Sequence, residues 1–184
     1  MIKKIFKNCI KRNTIFLIRI IRIIRIIKIE NEYDIFFNTI MSITLAITHF
    51  NNTTSLENER WREINNYGGC IYNSPVSIKE TIMLFSKIYV IEMNNETNKI
   101  IGIGLIKNKI IPKHHKIYSD NNYNRYTYYG KKRINASDFD DKVLYELEQR
   151  LFKGKNHLKR SQGIVEVPFD VREKYFSYIN SLMI

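Results

Sequence analysis

The stretch that most constrains this chain is residues 87–108, KIYVIEMNNETNKIIGIGLIKN, two apolar runs joined by the polar turn NNETN at 94–98. Runs of this length, rich in Ile, Val and Tyr and bounded by Asn clusters, read as buried strands, here 87–93 and 100–107. The second strand carries Gly102 and Gly104 at alternate positions. Successive side chains of a strand point to opposite faces, so both glycines fall on one face and leave it bare. A backbone, a helix or a flat ligand can approach closely there, and the pair marks a close-approach strand.

The flanking sequence supplies the other elements. Residues 42–50 (SITLAITHF) read as a strand, and the polar turn 51–55 leads into a short helix at 57–66, with Thr54 and Glu57 at capping-box spacing and the single Trp61 within it. Gly68 and Gly69 end that helix before a short strand at 70–73. Further strands are expected at 116–118 and 125–129, the latter turning at Gly130 into 132–134. Residues 137–153 form the clearest helix, with Val143, Leu144, Leu147 and Leu151 at helical spacing, Ser137 and Asp140 as caps and Gly154 as the stop. A strand at 163–167 and a helix at 170–182 complete the chain. Strands and helices mix without regular alternation, so the fold class is α+β and not a doubly wound sheet.

With 184 residues there is room for one sizeable core, and the domain is placed at 41–184. Residues 1–40 read as a basic low-complexity N-terminal extension, with nine Lys/Arg against three Asp/Glu and the repeat RIIRIIRIIKI at 19–29. Charges every third residue spiral around a helix and alternate across a strand, so the repeat has no clean apolar face. Four cations in one span also argue against a transmembrane helix and leave attachment to a membrane surface as its possible role. The start of the natural product can be Met1 or Met41. Cys9 and Cys70 are too few for a disulfide framework, which implies a reducing, intracellular compartment.

The net charge of +12 favours acidic partners. From Lys99 to Arg133 there are nine Lys/Arg and one acid, Asp120, interleaved with five tyrosines. Cations meet phosphates while exposed rings stack on unpaired bases, so Arg125, Tyr126, Tyr128, Lys131, Lys132 and Arg133 are candidate nucleic-acid contacts. A tyrosine on a strand also fits a core position with its hydroxyl at the rim, and periodicity leaves the choice open. Residues 150–163 hold five cations and no acid, with Gly154 and Gly163 near the ends, which adds Lys155, His157, Lys159 and Arg160. No nucleophile, metal-ligand cluster or paired carboxylates stand at catalytic spacing, so neither cofactor nor metal is expected. The reading is a non-catalytic nucleic-acid-binding module, RNA favoured, with a membrane-surface or virion-associated structural role as an alternative.

Val90 to Met93 and Ile100 to Ile106, with Ile101-Gly102-Ile103-Gly104 at the centre, resemble the strand pair of PUA-like domains, the group that holds the EVE, YTH and ASCH modules. That resemblance implies a small curved β-barrel, or a strongly bent mixed sheet, flanked by helices, that reads RNA or a modified base. The 41–184 segment also resembles proteins of large DNA viruses, which implies the host cytoplasm or the virion. The same hairpin, with Arg160-Ser161-Gln162-Gly163, is similar to the central hairpin and pyrophosphate loop of GNAT acetyltransferases, which gives an enzymatic alternative.

Overall fold

The computed structural model describes residues 43–112 and 115–184, and 43–184 form one unit. The extension at 1–40, its repeat and Cys9 lie outside the described residues. The unit holds seven strands and three helices. In order they are β1 (Ile43–Phe50), α1 (Asn52–Ile64), β2 (Cys70–Ser74), β3 (Lys87–Asn94), β4 (Lys99–Lys107), β5 (Tyr126–Gly130), β6 (Lys132–Asn135), α2 (Asp141–Phe152), β7 (Val165–Glu166) and α3 (Phe169–Met183). Residues 116–118, expected as a strand, are irregular.

Five strands form a mixed sheet in the order β6-β4-β3-β1-β7, and β2 pairs with β5 in a separate antiparallel ladder. At the centre β1 runs parallel to β3, from Ile43 opposite Lys87 to Phe50 opposite Asn94, while β3 and β4 form the antiparallel hairpin. The fold is α+β with a mixed sheet flanked by helices. Among the described residues no hydrogen-bonded ladder joins the two sheets, so the strands do not close into a barrel.

Both faces of the central sheet are covered, which is why β3 is buried from Ile88 to Asn94. One face meets α2 and α3. On α3 the buried positions Val171, Tyr175, Ile179 and Met183 recur every four residues, and Phe176 packs its ring on Tyr89 of β3. The opposite face meets the two-stranded ladder. Ile88, Val90 and Ile106 there join Cys70, Ile71, Tyr72 and Tyr128 in the core.

β5 and β6 are one length of chain that changes sheets at Gly130 and Lys131. A side chain at Gly130 would collide with the Leu105 carbonyl of β4, so the corner needs glycine. Helix α1 begins earlier than the Thr54 and Glu57 spacing predicts. Asn51 is its cap: its carboxamide oxygen accepts from Thr54 N–H at 2.7 Å, and Thr54 Oγ1 accepts from Asn51 N–H at 3.0 Å.

Candidate nucleic-acid interface

The two glycines of β4 open a lane that the protein fills itself. A Cβ at Gly104 would overlap the Tyr72 hydroxyl and Cys70, and one at Gly102 would overlap the Arg133 guanidinium. Tyr72 and Arg133 reach across these positions to Glu92, which pairs with Gly102 in the β3–β4 register. Glu92 accepts from the Tyr72 hydroxyl at 2.7 Å and from Arg133 Nη2 at 2.6 Å, with both side chains of the ion pair at least nine-tenths buried. The ladder shifts register between Glu92 and Met93, and the Ile101 carbonyl at this bulge accepts a further Arg133 N–H at 3.3 Å. Burial and the nearby Glu92 charge push the Cys70 thiol up to about 12, and burial holds the Tyr72 phenol well above its ordinary value. A cavity of about 410 Å³ opens on this ion pair. The ion pair on its floor is internally satisfied.

The ten expected nucleic-acid contacts do not converge. Tyr128 is 1% exposed and its hydroxyl accepts from Ile78 N–H at 3.0 Å, so its ring belongs to the core and cannot stack on a base. Tyr126 is half-buried and packs against the same core. Arg133 is committed to Glu92 and is not a phosphate ligand. Burial opposes the charge on Arg133, but the Glu92 hydrogen bonds outweigh it and the guanidinium is held above its usual value. On β5 and β6 the wet face carries Tyr129 instead, with Lys131 exposed and Lys132 half-buried.

A polar cavity of about 420 Å³ lies at the other end of the strands; Lys159 and Arg160 directly precede its wall residues 161–163, and Arg125 Nη2 donates to Asn122 Oδ1 on its wall at 2.8 Å, while Lys155 and His157 are not among its lining residues. Its walls come from the last residues of β1, the start of α1, Asn73 of β2 and Pro75 after it, Asn95 after β3, Tyr118, Asp120, Asn122 and Tyr123, and residues 161–163, so one carboxylate, that of Asp120, is part of the lining. Asn95 N–H donates to the Phe50 carbonyl at 2.8 Å, which ties together the ends of the two parallel strands. The basic segment is anchored here as well. Asn95 Nδ2 donates to the Lys159 carbonyl at 3.1 Å, and His49 Nε2 lies 2.6 Å from Ser161 Oγ. Gly163 turns the chain with φ of 73°, against Ser74 and Val76, where no other side chain fits.

The same cavity holds two orphaned atoms. Among the described residues the buried side-chain polar atoms without a partner are His49 Nδ1 and Asn95 Oδ1. Burial lowers the His49 pKa, against the neighbouring Asn95 side chain, which favours the protonated ring by hydrogen bonding, so the ring is neutral at pH 7 and carries one N–H and one acceptor nitrogen. His49 and Asn95 both line the cavity, next to Ser161. Tyr123 stands at its edge, 43% exposed, with one ring edge on Tyr118. Asn73 is spoken for: its Nδ2 donates to Asn124 Oδ1 at 2.8 Å and its Oδ1 accepts from Thr127 at 2.7 Å.

Sequence reasoning found the basic loop and missed His49, Asn95 and Tyr123. A strand ending THFNN and a hairpin turn starting NN carry no motif; the only available signal was polar residues at strand ends, where loops gather function. Arg160 to Gly163 leads into β7, and α3 begins only at Phe169, so this loop lacks the helix N-terminus that a pyrophosphate site uses. No family model, curated protein or solved structure matches this chain.

Proposed function

We propose that the chain is a non-catalytic nucleic-acid-binding module that takes an unpaired base of single-stranded RNA into the cavity at the end of β1 and β3. The observation that carries the reading is the pair of buried polar atoms without a partner, His49 Nδ1 and Asn95 Oδ1, beside a basic segment whose Lys159 carbonyl and Ser161 hydroxyl meet the same two residues. Buried polar atoms lacking partners are uncommon, and a nucleobase supplies the missing donors from a ring N–H or an exocyclic amine. A phosphate beside that base would meet Arg160, which is exposed and precedes Ser161 of the cavity wall. Tyr123 offers a ring at the rim. In this reading the two ladders are the walls of a PUA-like barrel left open, with the β5–β6 strand crossing from one wall to the other.

The test is fluorescence anisotropy with short labelled single-stranded RNAs of each base composition. Wild-type protein is expected to bind at low salt, and His49→Phe, which keeps a ring and removes both nitrogens, to bind about tenfold more weakly, the cost of leaving a buried donor unpaired. The sign with pH follows from the lowered His49 pKa. The ring offers an acceptor nitrogen only while neutral, so affinity should hold from pH 8 to about 6.5 and fall in more acid solution. Absence of binding to every RNA sinks the proposal, and a His49→Phe variant that binds like wild type removes the cavity from it.

A further inference from the structure

We propose that the turn at 83–85 and the lysines around it form a docking surface for an anionic lipid bilayer. Met83, Leu84 and Phe85 are three consecutive apolar residues, exposed by 77%, 70% and 64%. They stand on a rigid base. Ile82 beneath them is buried, and Asn108, itself buried, donates from Nδ2 to the Ile82 carbonyl at 2.7 Å. Asn108 N–H donates to the Ser86 carbonyl, and Phe85 N–H donates to the Asn108 carbonyl, both at 2.9 Å. The Ser86 hydroxyl closes the turn on the Met83 carbonyl at 2.6 Å.

Phe85 has φ of 65°, in the left-handed region that a bulky side chain avoids. Asn or Gly would occupy it without strain. A strained position persists only where its surroundings over-determine it, and here the strain holds an aromatic ring out toward solvent.

The charge around this tip names the partner. Phe85 and Tyr129 edge a cleft of about 680 Å³ lined by Lys87, Lys107, Lys109, Lys131 and Lys132, with no acidic residue in the lining. Among the described residues none of these five lysines makes an ion pair. Phe85 and Tyr129 carry rings, but Met83 and Leu84, the most exposed residues of the tip, have none to stack on a base, so the tip itself suits nucleic acid poorly. A bilayer suits it, because its acyl boundary accepts apolar tips of any shape while its phosphates meet a collar of lysines. Among the described residues no helix is long and apolar enough to cross a membrane, so attachment would be to the surface. β3 separates this patch from the His49 cavity, with Lys87 at one end and Asn94 at the other, about 23 Å apart for eight extended residues.

Flotation of the full chain with vesicles tests the inference. Wild-type protein should float with phosphatidylcholine vesicles containing about one-third phosphatidylserine, much less with phosphatidylcholine alone, and less as salt rises. The combined variant Met83→Ser, Leu84→Ser, Phe85→Asn should reduce the bound fraction at least about fivefold without lowering the melting temperature. Lys107→Gln with Lys109→Gln and Lys131→Gln should weaken flotation and flatten its salt dependence. The rest of the chain, including 1–42, is identical in every variant, so differences report this surface. The proposal fails if wild-type protein does not float, if the tip variant floats like wild type, or if the tip variant instead loses single-stranded RNA.

Discussion

A carboxylate in the middle of a buried strand must be neutralised. Glu92 is met by Arg133 and by the Tyr72 hydroxyl, and each of those side chains crosses a glycine of β4 to reach it. The Gly-x-Gly spacing therefore serves an internal ion pair. Counting cations in the sequence gave Arg133 to a phosphate, because pairing with an acid 41 residues earlier is a long-range contact with no local signature. Arg133→Ala would strand a buried charge, and we expect it to cost about 3–5 kcal/mol of stability, read as a lower urea midpoint. Tyr72→Phe removes one charge-assisted hydrogen bond and should cost about 1.5–3 kcal/mol. An Arg133→Ala protein of undiminished stability and reduced RNA affinity would restore the phosphate role.

Elements were legible where their signals were local. The β3–β4 hairpin, the Gly154 stop of α2 and the bend at Gly130 all follow from turn residues and periodicity, and they lie where those signals put them. What was not legible is which face of a strand is wet. Tyr128 and Tyr129 are neighbours on β5; the first is core and the second half-exposed, and only the sheet packed against β5 decides between them. The expected strand at 116–118 fails for a related reason. Asn124 Oδ1 accepts from both Ile117 and Tyr118 N–H at 3.1 Å, a side chain taking the place of a pairing strand. Packing between β4 and β2 gives an element-scale prediction. Gly104→Val improves strand propensity but drives two methyl groups into Tyr72 and Cys70, so it should destabilise by about 1–3 kcal/mol. Equal urea midpoints for variant and wild type would mean that the two-stranded ladder yields and does not pack tightly on the sheet.

At the scale of the whole molecule, positive charge is divided between two ends of the central sheet. Lys159 and Arg160 lie by the His49 cavity, and Lys107, Lys109, Lys131 and Lys132 by the apolar tip. A chain that bound RNA by net charge alone would lose affinity equally when either group was neutralised. Under the proposed function only the first group neutralises phosphate. Lys159→Ala with Arg160→Ala should then lower RNA affinity and flatten the log–log dependence on salt by about 0.7 per lost contact. Lys131→Ala with Lys132→Ala should leave both affinity and slope close to wild type. Tyr123→Ala should weaken binding with the slope unchanged, because stacking releases no counterions. Anisotropy titrations at four or five salt concentrations, with circular dichroism to check folding, measure all three. Equal losses of slope from the two lysine and arginine groups would show that RNA spreads over the basic surface without choosing the cavity.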